Sequence, residues 1–115
     1  MVVYVKRVYD APDVSDGVRI LVDRLWPRGL SKDKAHIDSW VKDIAPSREL
    51  RLWFNHDVTK WDEFVRRYHA ELAANTTAVN ALHHESTHAQ VTLLYAAKDT
   101  EHNNALALKT YLENL

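Results

Sequence analysis

The stretch Val18-Arg19-Ile20-Leu21-Val22-Asp23-Arg24-Leu25-Trp26-Pro27-Arg28-Gly29-Leu30 decides how this chain is read. Its first half is a short apolar, β-branched run, as expected of a strand buried on both faces. Its second half stops that strand. Pro27 lacks the N–H that a ladder needs and biases Trp26 towards an extended conformation, while Gly29 permits a positive φ where the chain turns. Between these breakers stand Arg24, Trp26 and Arg28. Ligands collect outside the carboxyl ends of parallel strands, so two guanidinium groups and an indole there point to an anion-binding site at the strand's mouth.

Upstream, Val2 to Val8 (VVYVKRV) has strand composition, and Asp10 to Gly17 (DAPDVSDG) is turn chemistry throughout. That turn is short for a helical crossover, so the first two strands are either antiparallel or joined by one cramped turn. Downstream, Ser31 to Lys34 is a polar loop or a brief helical turn. Residues 37–44 fit helical spacing through Ile37, Trp40, Val41 and Ile44, and equally fit a short edge strand. Ser47 is a good N-cap for a short helix carrying Leu50, Trp53 and Phe54 and ending near His56. Thr59, with Asp62 three positions on, reads as a capping box opening a longer helix with Trp61, Phe64, Val65, Tyr68 and Leu72 on its buried face. Asn75-Thr76-Thr77 separates it from a helix running to about Glu85. Val91 to Ala97 is a second buried strand, and Asp99 or Thr100 caps a last helix. Helical patterns separating two buried strands imply one small α/β layered domain over 1–115, with a short, mainly parallel sheet. The loops after Val22 and after Ala97 then open on the same sheet edge.

Composition excludes several classes. With no cysteine, disulfides, thiolate nucleophiles and Cys-based metal sites are ruled out. There is no signal-peptide pattern and no membrane-length apolar run, so a cytoplasmic protein with no membrane partner is expected. No Gly-rich phosphate loop, G-x-S-x-G elbow or H-E-x-x-H motif is present. A net charge of −1 argues against a strong grip on nucleic acid, although residues 19–51 hold eight Lys/Arg against five Asp/Glu.

Arg24, Arg28 and Arg51 are the candidate anion ligands, because guanidinium offers planar bidentate donors to phosphate or carboxylate. Ser47 marks a helix N-terminus that adds backbone N–H groups. Trp26, with Trp40 beside it as a second stacking candidate, would cover the ligand. Asp23, Asp99 and His56 are the candidates for moving protons, with Asp43 a further carboxylate. The competing structural account is that the arginines pair with Asp23, Asp43 and Glu49, and that Asp99 is a helix cap. His83, His84 and His88 read as a solvated surface, and no metal site is expected.

LVDRLWPRGLSKDKA (21–35), WVKDIAPSRELRLWFNHD (40–57), KWDEFVRRYHAEL (60–72) and VTLLYAAKDTEHNNA (91–105) together resemble domain-of-unknown-function family 488, in its short YeaO-like branch. The resemblance spans essentially the whole chain, and it implies a small Rossmann-like α/β domain. Its hallmark positions include Arg7, Asp23, Arg24, Trp26, Arg28, Ser47, Arg51, His56, Asp99 and Asn103, which adds Asn103 to the ligand-binding set. Asn104 departs from relatives that carry a second polar or histidine side chain there. The resemblance names no reaction and no cofactor. The leading expectation is a protein that binds, or acts on, a small phosphorylated or nucleotide-like anion. The alternatives are a nucleic-acid or protein-interaction module using the basic 19–51 face, and a homodimer formed through exposed aromatics.

Overall fold

The computed structural model describes residues 2–115. Among these, the sheet has four strands, all parallel: β1 (Val3–Arg7), β2 (Val18–Leu21), β3 (Ser39–Trp40) and β4 (Val91–Tyr95), in the spatial order β1-β4-β2-β3. Five α-helices accompany it: α1 (Lys32–Ala35), α2 (Arg48–Phe54), α3 (Trp61–Ala74), α4 (Thr76–His88) and α5 (Asn104–Glu113). The parallel α/β layering expected from the two buried runs is present.

The most apolar strand takes the centre. Every residue of β4 is buried, and it pairs on both sides, Val91 aligning with Val3 of β1 and with Val18 of β2. Alternation sorts the sheet's side chains between two faces. Val3, Ile20, Val22, Val91, Leu93 and Tyr95 pack with Phe54, Phe64, Tyr68, Leu72, Val79, Leu82 and Leu108 from α2, α3, α4 and α5, making the main core. The opposite face holds a smaller cluster of Val8, Leu21 and Leu94, against which Trp26, Leu30, Ile37 and Trp40 pack. It is covered by connecting chain and the one-turn α1.

The β1–β2 connection is the cramped one: the two strands run parallel with β4 inserted between them. Residues 8–17 return across the second face through a 3-10 turn at Val14–Asp16, closed by an Asp13/Asp16 capping box. Asp16 anchors this return. It pairs with the buried Arg19 and with Lys6, and its carbonyl accepts the Thr92 hydroxyl (2.6 Å). Gly17 completes it at φ +65°, where a Cβ would stand 2.5 Å from the Gln90 carbonyl oxygen.

Several local expectations are corrected. The Thr59/Asp62 capping box does not form; Asp57 accepts the Thr59 N–H (3.0 Å) at a 3-10 turn, and α3 begins at Trp61. The last helix is capped by Asn103, whose Oδ1 accepts the Leu106 N–H (3.0 Å), because Asp99 is already engaged with Glu101 and His102. Residues 37–44 divide into the two-residue edge strand β3 and a 3-10 turn at Lys42–Ile44. α4 continues to His88, so His84 and His88 share a helix face with ring centroids 4.2 Å apart. Among the described residues no cluster of three or more His, Asp or Glu is placed to hold a metal, and no helix is long and apolar enough to cross a membrane.

Candidate functional site

At the carboxyl edge of the sheet, the loops leaving β2 and β4 face α2 across a cleft of about 810 Å³. Asp23, Arg24, Trp26, Arg28, Arg51, His56, Asp99 and Asn103 all line it. Residues more than seventy positions apart in sequence meet there because β2 and β4 are neighbours with the same direction.

Asp23 lies two residues past the end of β2 and joins the two loops. Its Oδ2 accepts the Ala96 N–H (2.9 Å) and its Oδ1 the Asn104 side-chain amide (3.0 Å). Asn104 also donates to the Val22 carbonyl (3.2 Å), and the Trp40 indole N–H donates to the Asp23 carbonyl (2.8 Å). Burial pushes the Asp23 carboxyl above its usual value; the bonds from Asn104 and Ala96 and the charge of Arg51 offset this only in part.

Arg24 is half-buried, and among the described residues its Nε has no hydrogen-bond partner although it is enclosed. An unpaired buried donor is expensive, about 1–3 kcal/mol and more for a charged group. The structural pairing of this guanidinium with Asp23, Asp43 or Glu49 is not formed: no such ion pair occurs among the described residues. Arg28 and Arg51 are exposed at the rim, with Lys98 opposite. Tyr9 reaches across from the loop after β1, its hydroxyl donating to the Arg28 carbonyl (2.8 Å).

His56 follows the α2 C-cap Asn55, and both are left-handed (φ 57° and 47°). Asp99 accepts the backbone N–H of Glu101 (2.8 Å) and of His102 (3.0 Å), while its second oxygen lies 3.0 Å from His102 Nδ1. The Glu101 bond above all, with help from His102, holds the Asp99 carboxyl below its usual value despite some desolvation. Asn103 is buried and donates to the Asp99 carbonyl (3.1 Å).

Like Asn103, two more candidates are committed to internal partners. Ser47 is not among the cleft-lining residues; its hydroxyl accepts the Leu50 N–H (3.1 Å) and donates to Glu71 (2.5 Å), fixing α2 onto α3. Trp26 does line the cleft, but its indole N–H donates to the Leu30 carbonyl (2.6 Å) and its ring meets Trp40 edge-on at 5.4 Å. Trp40 stands behind the loop as its support and does not line the cleft. Part of the basic surplus in 19–51 is also internal. Arg19 is buried, donating to Asp16 and to the carbonyls of Ala35 and His36, while Lys42 stays exposed with its ammonium 4.0 Å from the Trp40 ring centroid.

His102 is the site residue that sequence reasoning passed over. The Asp99-x-x-His102 spacing immediately after a buried strand was the available signal. Its ring stands edge-on against Trp61 at 5.3 Å, and with Asp99 on Nδ1 the imidazole is held at the cleft by two contacts. Arg7, another hallmark position, donates to the carbonyls of Ala97 (2.9 Å) and Ala96 (3.3 Å), which fastens the β4 exit to β1.

A family model described as the inactive DUF488-N3 subclade matches residues 2–115. Over 110 residues the chain is 46% identical to "Uncharacterized protein YeaO" of Escherichia coli (strain K12), covering 96% of each chain. It is 40% identical over 110 residues to "Uncharacterized protein Rv3073c" of Mycobacterium tuberculosis (strain ATCC 25618 / H37Rv), covering 96% of this chain and 92% of that one. No solved structure gives a significant match.

Proposed function

Since the chain belongs to the DUF488 family, in its YeaO-like branch, we propose that it binds a small anionic, phosphorylated or nucleotide-like ligand in the cleft at the carboxyl edge of its sheet. The observation that carries this reading is Arg24, whose Nε is enclosed without an acceptor beside a cleft that also holds Arg28, Arg51 and Lys98. Four cations share this cleft with two carboxylates, Asp23 and Asp99, and none of the four forms an ion pair among the described residues, a surplus that favours an external anion.

Binding is a better reading than turnover. Both Asp23 oxygens accept hydrogen bonds that hold the loops together, so proton transfer in the cleft falls to His56 or to the Asp99–His102 pair. The description of the matching family model as inactive agrees with a ligand-holding role.

The test is thermal melting against inorganic phosphate, sulfate, nucleoside monophosphates and dicarboxylates at constant ionic strength. A ligand at a hundred times its Kd stabilises by about 2.7 kcal/mol, a shift of several degrees for a domain of this size. Arg24→Gln is expected to abolish the shift. A melt unmoved by the whole panel overturns the reading.

A further inference from the structure

Three apolar side chains, each from a different segment, stand exposed at this same cleft. Leu25 in the loop after β2 is 60% exposed, Leu52 on α2 is 55% exposed and Tyr9 after β1 is 41% exposed. Single exposed apolar side chains are ordinary on a protein surface, but their convergence on one concavity marks a recognition site. Each leucine follows a cationic residue in the chain, Arg24-Leu25 and Arg51-Leu52, so charge and apolar surface are interleaved on two sides of the opening. Tyr9 is held by its hydroxyl bond to the Arg28 carbonyl and by the Arg7 guanidinium 5.1 Å from its ring centroid. Its ring is therefore presented as a fixed rim.

Size argues in the same direction. A cleft of about 810 Å³ lies within the roughly 300–1,000 Å³ range of sites that enclose organic ligands. A bare phosphate or sulfate would engage the guanidinium groups and leave most of that space to water.

We propose that the ligand is an organic anion with an aryl-sized apolar body, and that Leu25, Leu52 and Tyr9 set this preference. The proposal rests on the anion-binding reading above. The charged head meets Arg24 and its neighbouring cations, and the body covers the three exposed side chains.

Isothermal titration of the full chain with inorganic phosphate and with phenyl phosphate, at one pH and salt concentration, tests it. Phenyl phosphate is expected to bind at least about tenfold more tightly, since burying even part of a ring contributes that much. The double variant Leu25→Ser/Leu52→Ser is expected to bring the two affinities within about threefold while leaving phosphate binding unchanged. Both side chains are exposed, and an unaltered far-UV spectrum and melt confirm that the variant folds. Equal affinity for the two compounds in the unmodified protein overturns the preference and leaves the anion reading standing. Binding of neither overturns both. An undiminished preference in the double variant overturns the assignment to these leucines. A concentration-dependent dimer by sedimentation, lost in the double variant, also overturns it, because the patch is then a contact between copies.

Discussion

Asp23 couples three segments through one carboxylate, accepting from Ala96 at the end of β4 and from Asn104 at the start of α5 while itself following β2. Truncation by Asp23→Ala leaves the Ala96 N–H without its acceptor and takes from the Asn104 amide one of its two, and a loss of about 2–4 kcal/mol is expected by urea denaturation. The carboxyl is raised by burial, so the fold favours its protonated form. The stabilisation from that preference is complete below the unfolded value, near pH 4, and is lost as pH rises through the folded value. Compared by urea titration from pH 4 upward, wild type should therefore lose stability relative to Asp23→Asn. A constant difference across that range would show that Asp23 is not raised. Asp16 has the opposite sign. Burial pushes it up, but bonds from the Asp13 N–H, Lys6 and Arg19 outweigh this and hold it low. Its contribution is present above about pH 4 and disappears as pH falls through the folded value.

At the scale of elements, the return from β1 to β2 leaves no room at its last residue. Gly17 turns at φ +65° against the Gln90 carbonyl, which also accepts the Val18 N–H (2.9 Å) and so starts the β2–β4 ladder. Gly17→Ala introduces both a left-handed alanine and a Cβ 2.5 Å from that oxygen. A loss of about 2–4 kcal/mol is expected. Gly29 is the control: its φ is +76°, but nothing lies within 4 Å of a Cβ placed there. Gly29→Ala should cost only the conformational penalty, about 1–2 kcal/mol. Equal melting temperatures for the two variants would contradict this account of Gly17. Part of this element was legible in sequence, since DAPDVSDG announced a turn. Its direction was not, because the strand it steps over lies at residues 91–95. The helix starts at Trp61 and Asn104 were misjudged for a related reason. Asp57 and Asp99 compete locally for backbone N–H groups, and the winner of such a competition depends on where each turn is held.

Across the whole molecule, stability is unevenly distributed between the two faces of the sheet. The long helices cover one face, while connecting chain and one-turn α1 cover the other. β4 is paired on both sides and buried along its length, so its amides should exchange with solvent only on global unfolding. Amides of 24–31, in a loop at the cleft, should exchange through local opening and gain protection when a phosphate ligand is present. Equal protection in the two segments without ligand would contradict this distribution.

The chain's own pattern determined that two apolar runs, 18–22 and 91–97, would be buried parallel strands with helices between them, because a run apolar on both faces has nowhere else to go. It also marked the polar residues at their ends, Arg24, Arg28, Asp23 and Asp99, as out of keeping with a plain turn. Tertiary structure alone decided that β4 enters between β1 and β2, and that His102 joins these residues, Arg51 and His56 in the cleft. It also decided that Arg19, Ser47 and Trp26 are engaged by internal partners. Local periodicity reports which face of an element is apolar. Which elements become neighbours, and which polar groups are then left without a partner, depends on pairings between distant segments.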